Sequence, residues 1–177
     1  LSLTFTNKAA REMKQRIAKI VGSSEAKNLW MGTFHSVFAK MLRFEADKLG
    51  YPSNFTIYDT QDSHSVIRAI IKDMRLDKDV YKYKQVYNRI SSYKNSLITV
   101  KAYFQNQELQ EADAMSKKPR LGEIYQQYVD RCFKAGAMDF DDLLLKTNEL
   151  LNRFPDVLHK YQSRFKYILV DEYQDTN

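Results

Sequence analysis

A chain of 177 residues, 44% of them hydrophobic, can fill the core of one domain of ordinary size, or of one domain carrying a small inserted subdomain. Its 28 basic and 22 acidic residues leave a charge of +6, spread unevenly: residues 1–50 hold 9 basic and 4 acidic side chains, residues 139–177 hold 5 and 8. A single cysteine, Cys132, excludes an internal disulfide, and no apolar run of about 18 residues or charged-then-apolar leader points to a membrane or to secretion, so a cytoplasmic protein is expected.

In chain order, "LSLTF" alternates like a strand, and Ala10, Met13, Ile17 and Ile20 then recur at helical spacing, with Thr6 or Asn7 as cap and Gly22-Ser23-Ser24 as stop. "LWMGTF" reads as a second short strand breaking at Gly32. Phe34, Phe38, Met41 and Leu42 follow as the apolar stripe of a helix running toward Lys48-Leu49-Gly50. Strand-helix-strand-helix alternation predicts a parallel α/β sheet. From Thr60 to Lys134 the periodicity is almost wholly helical, with helices expected in "DTQDSHSVIRAIIKDM", "KQVYNRISSYKNSL", "VKAYFQNQELQEADAM" and "RLGEIYQQYVDRCFKAG". "MDFDDLLLKTNELLNRF" predicts a further helix halted by Pro155, and "KYILVDE" a buried strand. The economical picture is an α/β domain interrupted by an all-helical insertion over roughly 55–135. The chain starts on Leu1 inside what reads as a strand already under way, so both ends are expected to be cut.

The strongest chemical signal is "YILVDEYQDTN". An apolar strand of this kind is typical of a parallel sheet covered on both faces, and ligands bind such sheets at the carboxyl ends of the strands. There Asp171 can hold Mg²⁺ on nucleotide phosphates and Glu172 can deprotonate the attacking water; a helix cap or solvated turn is the plain alternative for any lone acid pair. "TFTNKAA" lies where a strand gives way to a helix, so free N–H groups and Lys8 can receive a phosphate and Phe5 can stack a base if it faces out, although spacing alone favours a core Phe5 and a solvated Lys8. "GTFHS" sets Thr33, His35 and Ser36 at a second strand end, suited to a polar contact with phosphate or base and equally to a structural role. Between Lys72 and Lys101 eight basic residues, Lys72, Arg75, Lys78, Lys82, Lys84, Arg89, Lys94 and Lys101, alternate with Tyr81, Tyr83, Tyr87 and Tyr93. Such a pattern suits a nucleic-acid track, but Asp73, Asp77 and Asp79 dilute it and a solvated helix surface explains it as well. Asp139, Asp141 and Asp142 stand at a helix start, where acids oppose the helix dipole; their spacing gives no support to a metal role.

Taken in order, "TFTNKAAREMKQRI", "GTFHSVFAKMLR", "MDFDDLL" and "YILVDEYQDTN" resemble the UvrD/Rep/PcrA family of superfamily 1 DNA helicases. The resemblance covers both flanks, the helical middle being less diagnostic. It implies a partial RecA-like parallel sheet of the P-loop NTPase type, with residues 1–54 and 136–177 in motor domain 1A and 55–135 as its inserted helical subdomain 1B. It implies a parent enzyme that uses Mg²⁺ and ATP to move 3′ to 5′ along single-stranded DNA and to open duplex at single/double-strand junctions. Asp171 would then be the metal carboxylate of the Walker B motif and Glu172 the catalytic base. Phe5, Thr6, Asn7, Thr33 and His35 would be DNA contacts, joined in the insertion by Lys82, Lys84, Arg89 and Lys94. The sequence departs from the family pattern in having no G-x-x-x-x-G-K-[ST] phosphate-binding loop, and it holds no second motor domain. The chain by itself is therefore expected to be inactive and to hold no cofactor tightly. A helicase-nuclease of the RecB or AddA type is an alternative parent, and a non-catalytic nucleic-acid-binding module an alternative class.

Overall fold

The computed structural model describes residues 1–176 and divides into two units, Leu1–Leu49 with residues from Lys146 onward, and Gly50–Leu145. The sequence pattern put these divisions at 54/55 and 135/136. The chain begins with β1 (Ser2–Thr4), α1 (Asn7–Val21), a single turn α2 (Ser23–Ala26), β2 (Met31–Thr33) and α3 (Phe34–Glu45), which ends in a 3₁₀ turn over Ala46–Leu49. Thr6 caps α1, its hydroxyl accepting from Ala9 N at 3.1 Å, and Thr33 caps α3 in the same way from Ser36 N at 3.2 Å. The middle of the chain forms β3 (Thr56–Tyr58), α4 (Thr60–Asp73), α5 (Tyr83–Asn95), α6 (Val100–Gln105), α7 (Gln107–Met115), α8 (Leu121–Lys134) and β4 (Ala137–Asp139). It closes with α9 (Phe140–Arg153), α10 (Pro155–Arg164), β5 (Leu169–Val170) and a 3₁₀ turn over Tyr173–Asp175.

In the first unit β2, β1 and β5 form a parallel sheet in that order, with Leu3 opposite both Gly32 and Val170. Its core gathers on Trp30, 6% exposed, against the rings of Phe165 at 5.2 Å and Tyr161 at 6.1 Å, with Lys40 Nζ 4.2 Å above the indole. Glu45 is buried and accepts from Lys160 and from the Tyr161 hydroxyl at 3.1 Å, which ties α10 to α3. One expectation fails here. The "YILV" strand is not buried: Tyr167 is 82% exposed and Leu169 65%. Among the described residues two of its residues pair, on one side, with β1, which leaves β5 at the edge of a three-stranded sheet. Asn177, the last residue of that stretch, lies outside the described residues.

The second unit is a helical cluster around Ile67, Ile70, Val86, Ile90, Leu121 and Ile124, all at most 1% exposed. It is not purely helical: β3 and β4 pair in parallel, Thr56 opposite Ala137 and Tyr58 opposite Asp139, and each leads straight into a helix. Three-residue strands of this kind carry too little alternation to stand out from neighbouring helical periodicity. The single helix expected over "VKAYFQNQELQEADAM" is two. Asn106 adopts an extended conformation and its Oδ1 accepts from Leu109 N at 3.1 Å, so it caps α7 instead of continuing α6.

Four core tyrosines keep their hydroxyls satisfied: Tyr93 and Tyr103 donate to Asp113, Tyr125 to Ile98 O at 2.9 Å and Tyr128 to Asp139 at 2.7 Å. Burial pushes the Cys132 thiol up to about 12, which leaves it an inert core residue. Gly122 lets the Tyr103 ring lie on α8, because a β-carbon at this position would stand 2.3 Å from the ring. Gly122→Ala is therefore expected to lower the thermal midpoint in calorimetry. Overpacking, typically about 1–3 kcal/mol, exceeds the helix-propensity gain of about 1 kcal/mol. An unchanged or raised midpoint would overturn that packing account.

Candidate functional site

The parallel register of the first unit brings three separate sequence stretches to one edge of its sheet. Thr4 is level with Thr33, and Asp171 N donates to Leu3 O at 2.9 Å, so β1, β2 and β5 all release their following residues at the same carboxyl edge. Phe5-Thr6-Asn7, Phe34-His35 and Asp171-Glu172 emerge there, which is where parallel α/β sheets bind ligands.

Phe5 is 37% exposed and its ring lies 5.1 Å from that of Phe34, which packs in turn on Phe38 at 6.0 Å. It is thus a supported aromatic with solvent access, not the core residue that spacing alone favours. Asn7 and Lys8 are exposed at the start of α1, whose first turn has no acid to offset the positive end of the helix. The Thr6 and Thr33 hydroxyls are engaged as caps, and Thr33 is buried, so these two shape the backbone. His35 is half-buried in the first turn of α3. Ser36 donates its hydroxyl to Thr33 O at 2.9 Å, filling the space beside Gly32, where a β-carbon would come within 2.5 Å of Ser36 Oγ.

Asp171 and Glu172 are both exposed, and among the described residues neither carboxylate forms an ion pair. Glu172 has left-handed backbone angles, φ 56° and ψ 49°, before the 3₁₀ turn. For a side chain with a β-carbon this costs about 1–2 kcal/mol, a conformation shared with Arg75, Leu97 and Lys117. Thr4 Oγ1, on the central strand beside Asp171, is buried without a hydrogen-bond partner among the described residues. No group of three or more His, Cys, Asp or Glu side chains able to cage a metal occurs among the described residues. Mg²⁺, however, keeps most of its waters and takes only one or two carboxylates when phosphates supply the rest, so Asp171 with Glu172 fits a phosphate-held Mg²⁺ and does not fit a protein-only site. The pocket that Asp171 lines with Glu12, Met13 and Arg16 of α1 has about 270 Å³, below the roughly 300–1,000 Å³ usual for a small-molecule site.

The basic segment of the second unit separates into exposed and committed residues. Lys82 and Lys84 are exposed at the start of α5. Arg89 donates to Asp113 at 3.0 Å and to the Tyr93 hydroxyl at 2.9 Å, which fixes it in a structural network. Lys94 must be removed from the DNA-facing set: its side chain is 1% exposed, and its ammonium lies 2.8 Å from both Asp139 and Asp142. These acids do more than face a helix dipole. Asp139 Oδ1 accepts from Asp142 N at 2.8 Å and Asp142 Oδ2 from Asp139 N at 3.2 Å, a reciprocal cap at the start of α9. Burial pushes Lys94 down, but the two carboxylates outweigh it and raise its pKa. Sequence inspection missed Arg68, four residues before Lys72 on α4; helical i, i+4 spacing was the available signal.

The whole chain, residues 1–177, matches the model of the UvrD/REP helicase N-terminal domain. It is 42% identical over 182 residues to an ATP-dependent DNA helicase PcrA from Staphylococcus aureus (strain Mu50), a comparison covering all of this chain and 23% of the relative. It is 41% identical to ATP-dependent DNA helicase UvrD1 from Mycobacterium leprae (strain TN), covering 22% of that protein, and 41% identical to PcrA from Bacillus subtilis (strain 168), covering 23%. The chain spans under a quarter of the length of these curated relatives, over the region that contains the carboxyl-edge residues and the helical unit. The chain thus belongs to the UvrD/REP helicase family, as a stretch of its N-terminal domain.

Proposed function

We propose that the chain is part of the first motor domain of an ATP-dependent 3′ to 5′ DNA helicase of the cytoplasm, with residues 50–145 as the subdomain inserted in it. The observation that carries this reading is the shared carboxyl edge, where a supported, exposed aromatic, a helix start without acids and two carboxylates with no ion pair among the described residues meet. The names of the relatives, ATP-dependent DNA helicases, favour the same substrates for the parent protein.

In this reading Asp171 would hold Mg²⁺ together with nucleotide phosphates, and Glu172 would orient a water and take its proton. Bound Mg-ATP supplies the transferable phosphoryl group and neutralises the charge that develops on its oxygens. Phe5 offers its exposed face to a DNA base, while Asn7 and Lys8, beside the free N–H groups of α1, meet the adjoining phosphate. Thr6 and Thr33 hold these backbones in place through their caps, and His35 lies at the second strand end of the same track. The 177 residues contain no G-x-x-x-x-G-K-[ST] loop, so the chain alone is proposed to bind single-stranded DNA weakly and to lack ATP turnover.

Fluorescence anisotropy with labelled oligothymidylate tests the track. Binding is expected to weaken steeply from roughly 50 to 200 mM salt, because phosphate contacts release counterions. Phe5→Ala is expected to cost about 1–3 kcal/mol of that binding, the usual stacking contribution of one base. Affinity that is independent of salt, or untouched by Phe5→Ala in a variant with native circular dichroism, would overturn the proposed track.

A further inference from the structure

The helical unit carries a pocket of about 780 Å³ between the end of α4 and the start of α5. Five cations line it, Arg68, Lys72, Lys78, Lys82 and Lys84, over a mostly apolar wall that includes Ala69 and Ile71, and no acid is among the lining residues. The four lysines are exposed, and none forms an ion pair among the described residues. Of the acids close in sequence, Asp73 is paired with Arg131 at 2.8 Å, while Asp77, whose Oδ1 accepts from Asp79 N at 2.8 Å, and Asp79 are exposed and do not line the pocket. No side chain caps the first turn of α5 and no acid occurs in it, so the positive end of the helix adds to the same field.

Such a site attracts anions, but its walls discriminate among them. Nucleic acid binds single-stranded through phosphates on cations and bases on open aromatic faces. The two rings here are already engaged. Tyr81 is 6% exposed and its hydroxyl accepts from Arg120 N at 3.2 Å, while the Arg68 guanidinium sits 4.9 Å over Tyr83 and His64 packs against that ring at 5.1 Å. What remains is aliphatic surface from the exposed Ala69 and the lysine stems, over the buried Ile71 and beneath a rim of ammonium groups. We propose that this pocket docks an acidic peptide segment of a partner protein, one aliphatic side chain entering the apolar floor while flanking carboxylates meet the lysines. The complement is chemical: an apolar anchor supplies affinity through burial, and the charges supply steering and register. The pocket shares Lys82 and Lys84 with the DNA contacts that the family resemblance implies, and the proposal reassigns those two lysines to a peptide; it leaves the carboxyl-edge residues Phe5, Asn7 and Lys8 untouched.

The test uses the intact 177-residue chain and a short fluorescein-labelled peptide in which one leucine stands among aspartates and glutamates. Saturable binding is expected, weakened about tenfold or more when the leucine is replaced by glycine, the scale of burying one aliphatic side chain. Lys82→Glu with Lys84→Glu is expected to weaken it about tenfold as well, and Phe5→Ala to leave it unchanged. Amide shifts on peptide addition should concentrate at Ala69, Ile71 and Gln85, a readout that needs no variant to fold. No binding, equal binding of the glycine peptide, or shifts confined to other regions would each overturn the proposal. Oligothymidylate that displaces the peptide, and itself loses affinity in the lysine variant, would overturn it by reassigning the pocket to nucleic acid.

Discussion

Glu172→Gln, placed in a longer parent that contains this chain and a phosphate-binding loop, is expected to lower DNA-stimulated ATP hydrolysis by about 10²- to 10⁴-fold, the range typical of a lost general base. Glutamine keeps the length and one acceptor of glutamate, so the water can still be held, but it cannot take the proton. Nucleotide binding should therefore survive, since Asp171 and not Glu172 is the proposed metal carboxylate. The measurement is a split one: turnover by phosphate release, and affinity by a fluorescent ATP analogue in the presence of Mg²⁺. Turnover within a few-fold of the wild type would remove Glu172 from the chemistry. Loss of nucleotide affinity equal to the loss of turnover would give it a binding role instead. The same assay on the 177-residue chain should show no Mg²⁺-dependent turnover. Its Asp171 pocket of about 270 Å³ is small for a nucleotide, and the cradle of N–H groups and lysine that holds β- and γ-phosphates is not in this sequence.

The place of the two acids was legible in the sequence, because an apolar run leading into Asp171-Glu172 marks the end of a strand, while the task proposed for each comes from the family resemblance. The exposure of β5 was not legible. A run such as Tyr167-Ile168-Leu169-Val170 specifies apolar side chains, whereas burial depends on what lies across the sheet, and among the described residues β5 has β1 as its one neighbour. Thr6 and Thr33 illustrate the reverse case: each stands at a strand-to-helix junction that reads equally as ligand contact and as cap, and only the bonds to Ala9 N and Ser36 N decide what their hydroxyls do. The basic segment was the least legible. Lys82 and Lys94 look alike in a charge count, yet one is on the surface and the other is enclosed, because the partners of Lys94 lie 45 and 48 residues away in sequence. Long-range pairing of that kind leaves no local periodicity to read.

Lys94→Met is expected to destabilise the chain by about 3–5 kcal/mol in urea denaturation, because it leaves two buried carboxylates without a counter-charge. Methionine retains the stem volume, so a cavity contributes little; the cost is electrostatic. The cluster holds one ammonium and two carboxylates, and the pair cannot both be fully compensated. Burial pushes Asp139 up, but Lys94, the Tyr128 hydroxyl and Asp142 N together hold it below the usual carboxylate range. Asp142, pushed up by burial and by the like charge of Asp139, stays above that range even with Lys94 beside it. The signs then follow from proton linkage. The Asp139 contribution is present above the ordinary carboxylate value of about 3.9 and is lost as pH falls through its lowered folded value. The Asp142 contribution runs the other way, being lost as pH rises from that ordinary value through its raised one. Asp142→Asn keeps an acceptor for Lys94 and removes the surplus charge, so it should cost less than Lys94→Met. Relative to the wild type its stability should improve as pH rises from about 4 toward neutrality. A Lys94→Met variant as stable as the wild type, or an Asp142→Asn difference that is flat with pH, would show that the cluster is solvated and not a buried charge centre. Either result would also reopen Lys94 as a surface residue within reach of DNA.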